Sequence, residues 1–208
     1  FSLYPLLEVS PSLWLDGTDI DGNLKPDTYA EGANISLWVD KSGNGYDFNE
    51  TKGQPKYSDK EGKGVVKFDG QTMIWTGNSL SPDFNNFTII SVARYTGGKY
   101  GRIISDANKS WFFGFHSAGL DSFHANGWLS NKRDIPVDQN WHLHVGTINS
   151  NDYGQGWVDQ INMVDSPNGA GADYQPRLLA LGGWRRSSTW FAEMSKAEVA
   201  ELLVFDWV

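Results

Sequence analysis

A chain of 208 residues has the length of one domain, because a single hydrophobic core grows to roughly 250 residues before chains divide. Its 39% hydrophobic and 14% aromatic content can fill such a core and excludes wholesale disorder. A formal net charge of −8 excludes nucleic acid as the main partner, the lack of any run near the ~18 apolar residues of a spanning helix excludes membrane insertion, and the absence of cysteine excludes disulfides and thiolate sites.

In chain order, the opening FSLYPLL lacks the basic first region of a signal peptide, and the chain starts at Phe1, which fits a processed or excised chain. A first strand is predicted over 12–15. An acidic loop follows, with Asp16, Asp19, Asp21, Asn23 and Asp27. Further strands are predicted at 35–39, 65–68, 87–95, 102–105, 110–116, 119–124, 141–149, 154–163, 177–181 and 199–207, separated by Gly, Asn, Asp and Pro clusters. Ten Trp, eleven Phe and twenty-three Gly against three Met fit short strands and tight turns better than helices. Ser195-Lys-Ala-Glu198 has the pattern of a capping box, so a short turn or helix is expected over 195–197 before the last strand. Eleven strands with no long helical stretch predict a two-sheet antiparallel sandwich. No repeat or linker divides it, so residues 1–208 are expected to form one domain.

Asp40-Lys-Ser-Gly-Asn-Gly45 and Phe68-Asp69-Gly70 read as turns, with Asp and Asn bonding their own backbone and Gly supplying positive φ. Asp40, Ser42 and Asn44 also carry EF-hand spacing, but Thr51 stands where the bidentate Glu belongs, so that loop fails. Trp141 and His142 are expected to plug the sandwich and satisfy a buried backbone group. His142 and His144 share a strand face without a third ligand nearby, which argues against zinc. Sequons occur at Asn34, Asn49, Asn86 and Asn108 and matter only in a eukaryotic secretory setting.

Several motifs fall in a familiar order: Leu13-Trp14-Leu15-Asp16, Leu37-Trp38-Val39-Asp40, Val65-Val66-Lys67-Phe68-Asp69-Gly70, Asn140-Trp141-His142, Leu181-Gly182-Gly183 and Ala200-Glu201-Leu202-Leu203-Val204-Phe205-Asp206. Over nearly the whole chain this resembles the laminin G-like, concanavalin A-like lectin-glucanase domains. The resemblance implies a jelly roll of extracellular or cell- or virion-surface proteins, a fold that serves lectins, adhesion modules, glycosidases, lyases and structural modules. Such domains often carry a Ca²⁺ near the ligand rim, for which Asp19, Asp21, Asn23 and Asp27 are the candidate ligands; the alternative reading of these residues is a solvated acidic loop.

Catalysis is not expected. No strand carries glycosidase acids at alternate positions: Glu198 and Glu201 are three apart and fall on opposite faces. His116, His124, Arg94 and Arg102 show no spacing that unites them for lyase chemistry. Sugar binding has better candidates, because an indole accepts the apolar face of a sugar ring while amides and guanidinium groups bond its hydroxyls. One is the loop Trp184-Arg185-Arg186-Ser187-Ser188-Thr189-Trp190; the other pairs Trp128 with Asn126, His124 and Asn131. The sequence thus points to a non-catalytic carbohydrate-binding or adhesion module with a glycan or polysaccharide partner. The alternatives are a structural module docking on neighbouring domains or copies of itself, and then a polysaccharide lyase or glycoside hydrolase.

Overall fold

The computed structural model describes residues 10–60, 62–81 and 85–208; the FSLYPLL segment lies outside them. The described residues form seventeen strands and no helix. They build an all-β, two-sheet antiparallel jelly-roll sandwich with one small appended hairpin. Among the described residues, no helix is long and apolar enough to cross a membrane.

One sheet has eight strands. Its main path runs Ile161–Asn162, Gly154–Val158, His142–Ile148, Phe87–Tyr95, Lys196–Phe205, Gly64–Asp69 and Lys56–Asp59, and Leu13–Asp16 pairs along the far part of Lys196–Phe205. The other has seven, in the order Trp128–Asn131, Gly119–Ala125, Trp111–His116, Ile104–Asp106, Leu179–Leu181, Met73–Thr76 and Phe48–Lys52. Period-two alternation sets the inner layer. Phe87, Ile89, Ala93 and Tyr95 of the first sheet meet Trp111, Phe113 and Phe115 of the second, with Tyr95 edge-on to Phe115 at 5.1 Å. Two glycines make room for a ring between the sheets. A Cβ on Gly146 would stand 2.5 Å from Phe113, and one on Gly114, at φ +80°, would stand 2.7 Å from the ring of His144.

His144 is fully buried, and its Nε2 donates to the Leu120 carbonyl at 2.6 Å, so the histidine that satisfies a buried backbone group is this one. The expectation for Trp141 and His142 is corrected accordingly. His142 bonds the Asp138 and Asp159 carboxylates at 2.8 and 2.5 Å, and Trp141 lies half-buried under Arg94. Asp40 is a structural acid, as its turn pattern implies. Buried, it accepts from the backbone N–H groups of Trp14, Ser42 and Tyr46 and from the Ser42 hydroxyl, tying the first strand to the turn.

The strand at 35–39 reduces to isolated bridges at Asn34 and Trp38, and 154–163 splits into a hairpin, Gly154–Val158 with Ile161–Asn162. The capping pattern at Ser195 is overridden. Its hydroxyl donates to the Arg102 carbonyl at 2.8 Å, and a strand begins at Lys196, because Ala197 and Val199 bury themselves against the core only in an extended chain.

Candidate functional site

The segment after Leu179–Leu181 folds back over the outer face of the seven-stranded sheet as a hairpin, Trp184–Arg185 paired with Phe191–Ala192. Apolar contacts hold it there. Phe191 and Met194 cover Met73, Trp75, Ala107 and Ala180, with Phe191 5.9 Å from Trp75, while Ser105 Oγ donates to the Gly183 carbonyl at 2.6 Å. The hairpin therefore covers one half of this face and leaves its turn, 186–190, projecting into solvent.

The other half carries the outward side chains of Trp111–His116 and Gly119–Ala125. Phe112 stacks on His124 (5.5 Å, 12°), and Trp128 meets both rings edge-on at 5.6 and 4.9 Å. Arg102 joins the two halves. Its guanidinium lies 4.3 Å over Phe112 and 4.1 Å over Trp184, and Arg186 lies 5.3 Å from Trp184 and 4.0 Å over Trp190. A continuous row of rings and guanidinium groups thus runs Trp128, His124, Phe112, Arg102, Trp184, Arg186, Trp190. It brings together the two regions that the sequence offers separately. Its ends are open, with Trp128 39% and Trp190 52% exposed, while Phe112 and Arg102 at its centre are 2% and 4% exposed.

Electrostatics fixes the centre. Arg102 Nε donates to Glu193 Oε2 at 2.6 Å, and His116 Nε2 lies 3.3 Å from the same oxygen. The hydrogen bond with His116, followed by the Arg102 charge, holds the Glu193 carboxyl at about 2. Burial lowers Arg102, with Glu193 opposing that shift. Burial also lowers His124, whose Nδ1 bonds the Ser110 carbonyl at 2.5 Å; a neutral ring donating there presents Nε2 as an acceptor. Among the described residues, Trp184 Nε1 and Arg102 Nη1 are buried donors without a partner.

The remaining sequence candidates have other positions. Asn126 holds a left-handed turn (φ 55°), and its amide donates to the Ala172 and Asp173 carbonyls at 3.0 and 2.7 Å, so it is committed to the fold. Arg185 leans on Trp75 and donates to Asn108 Oδ1 at 3.2 Å, behind the row. On the far side of the hairpin, Lys52, Gln71, Thr72, Lys99, Phe191 and Glu193 line a cleft of about 790 Å³. Phe112 and Glu193 escape sequence reasoning, and Arg102 and His116 enter it only as residues that no spacing unites, because Phe112 and His116 share the strand Trp111–His116 whereas Arg102 and Glu193 come from distant segments outside the strands; the alternation of Phe112 and His116 against Trp111, Phe113 and Phe115 was the available signal.

In the acidic loop, one carboxylate oxygen each from Asp19, Asp21 and Asp27 lies within 4.8 Å of the others. Asn23 sits beside this group: its amide donates to Asp21 Oδ2 at 2.8 Å, while its Oδ1 accepts from Lys25 N at 2.9 Å. Lys41 bridges Asp16 and Asp19 at 2.8 Å each, yet Asp19 Oδ1 is buried without a partner. Burial, followed by the charges of Asp21 and Asp19, raises Asp27. Of the sequons, Asn34, Asn49 and Asn108 are exposed, whereas Asn86 is half-buried and accepts from Ser150 N at 2.8 Å.

No protein-family model matches the chain, and no curated protein matches its sequence. The fold has solved counterparts. Domain 4 of an extracellular GH43 arabinanase from Geobacillus stearothermophilus, solved with arabinotriose, is 14% identical with a TM-score of 0.53, over 85% of this chain and 93% of that one. A structure of botulinum neurotoxin type C, whose cell entry depends on two ganglioside molecules, is 12% identical with a TM-score of 0.55, over 99% of this chain and 50% of that one. The binding domain of Paraclostridial Mosquitocidal Protein 1 is 10% identical with a TM-score of 0.57, over 86% and 48%. The chain spans nearly all of the arabinanase domain and about half of each toxin structure.

Proposed function

We propose that the chain is a non-catalytic carbohydrate-binding module of an extracellular or surface protein, and that a glycan lies across the outer face of the seven-stranded sheet. The observation that carries this is the row from Trp128 to Trp190. Its exposed indoles offer apolar faces to sugar rings, and Arg186, His124 Nε2 and the hydroxyls of Ser187, Ser188 and Thr189 offer bonds to sugar hydroxyls. The laminin G-like sequence motifs and the arabinotriose in the arabinanase domain support the same ligand class. Glu193 is unsuited to act as a general acid: that role needs a raised pKa, and this carboxyl is held at about 2. A glycan array probed with wild type and with Trp190→Ala tests the proposal. Wild type should retain a defined set of glycans, and the variant should lose at least about tenfold in affinity, ~1.4 kcal/mol. Equal binding by the two proteins would reject it.

The same proposal includes a Ca²⁺ in the acidic loop. Asp19 Oδ1, Asp21 and Asp27 would supply hard oxygens, and the cation would relieve their repulsion and satisfy the buried oxygen. Added Ca²⁺ should then raise the melting temperature of wild type but not of Asp27→Asn; a melting temperature indifferent to Ca²⁺ and EDTA would reject this part.

A second reading, docking on neighbouring domains or copies of itself, is favoured by the other sheet. There Ile90, Val145 and Trp157 form a half-buried apolar row in register across three strands, continued by Leu203 and Trp14, which are already buried. Concentration-dependent association in sedimentation velocity would support it, and a monomer at all concentrations would not.

A further inference from the structure

On the outer face of the eight-stranded sheet, away from the glycan row, a groove of about 670 Å³ opens over Val65, Val92 and Ala200. Its floor is low for a structural reason. The pairing of Lys196–Phe205 with Phe87–Tyr95 shifts register between Val199 and Glu201, and the residue at that irregularity, Ala200, has only a methyl group. Trp141 forms one wall, and Arg94 stacks 4.7 Å over its ring. Beneath them Glu198, 2% exposed, accepts Arg94 at 2.7 and 2.8 Å through Oε2 and lies 3.4 Å from Lys60 through Oε1. The buried carboxylate sets Arg94 and Lys60 in place. Lys63 stands on the same rim, and among the described residues its ammonium has no ion-pair partner. Asp59, an acid on the same rim, accepts from Gly62 N at 2.7 Å through Oδ1.

An apolar floor, an indole wall and a cationic rim form an unusual combination in a chain of net charge −8. We propose that this groove is a second binding site, for an anionic sugar unit: a ring that places an apolar face on Val92, Ala200 and Trp141 and a carboxylate or sulfate on Lys60 and Lys63. Neither anion source is favoured by the groove, since both present oxygens to ammonium groups. The site does not depend on the glycan row, from which it is separated by the thickness of the sandwich.

The test follows the Trp141 indole resonance in ¹⁵N-labelled protein during titration with D-glucuronate, glucose 6-sulfate, D-glucose and acetate at constant ionic strength. Trp141 should shift saturably with at least one of the two anionic sugars and identify which, while glucose and acetate leave it in place. The Lys60→Gln/Lys63→Gln double variant should weaken the response at least fivefold, and Ala200→Leu, which fills the floor, should abolish it. Both side-chain sets lie at the surface, so the remaining indole resonances report that the fold is kept. A silent Trp141, an equal response to acetate, or unchanged binding by the lysine variant would each overturn the proposal. Trp184 and Trp190 appear in the same spectrum, so failure here is distinguishable from failure of the glycan row.

Discussion

Arg102 shows how the candidate site is built at the scale of one residue. A guanidinium is delocalised and weakly hydrated, so it can be buried between two ring faces provided that its edge meets an anion, and Glu193 supplies that anion. Glu193→Ala leaves Arg102 buried without its partner. Because Glu193 is itself partly open to solvent, the cost should fall below that of a fully buried pair, about 2–3 kcal/mol by urea unfolding. Phe68→Ala is the contrasting case: a fully buried ring between the sheets, whose loss should cost about 3–5 kcal/mol without touching the site. The two inward histidines respond to pH in opposite senses. Burial lowers His144 to about 4, so the native state stays neutral where the unfolded chain takes up a proton. Its contribution is complete above about pH 6.5 and is lost as the pH falls towards 4, on the order of 3 kcal/mol, and His144→Gln should remove that slope from stability measured against pH. Hydrogen bonds to Asp138 and Asp159 outweigh burial and raise His142, so its contribution is complete below about pH 6.5 and is lost as the pH rises through the raised value.

At the scale of elements, the strands that sequence reveals are those with a strong apolar phase. Phe87–Tyr95 has the bounds that its alternation predicts, since both of its neighbours are long strands that hold it to its ends. Phe48–Lys52, Lys56–Asp59 and Trp128–Asn131 escape notice because edge strands are short and carry polar residues, with only one or two inward side chains each. Met73–Thr76 escapes for a different reason: buried on both faces, it shows no alternation. The hairpin at 184–192 is held through Phe191, Met194 and Gly183, none of which lies in its exposed turn. Replacing 186–190 with a Gly-Ser turn should therefore leave the melting temperature within a few degrees of wild type and remove glycan retention. A large loss of stability would mean that the two tryptophans serve packing instead.

At the scale of the molecule, the sandwich presents two unlike outer faces. One is half-covered by its hairpin and carries the row of rings and guanidinium groups; the other carries an apolar belt and a cationic groove. The jelly roll was legible because turn residues and aromatic phases recur along the chain. The site was only half legible: Trp128 and the 184–190 loop stand out as aromatics without evident core duty, but nothing local to the sequence places them on one face. That depends on Leu179–Leu181 crossing beside Ile104–Asp106, a contact between residues more than seventy positions apart. The most direct measurement is an indole ¹H–¹⁵N titration with a glycan selected on the array. If the glycan lies along the row, the resonances of Trp128, Trp184 and Trp190 move together and saturate at one affinity, while those of the core residues Trp38 and Trp111 stay fixed. Saturable binding that leaves Trp128, Trp184 and Trp190 unmoved would contradict it.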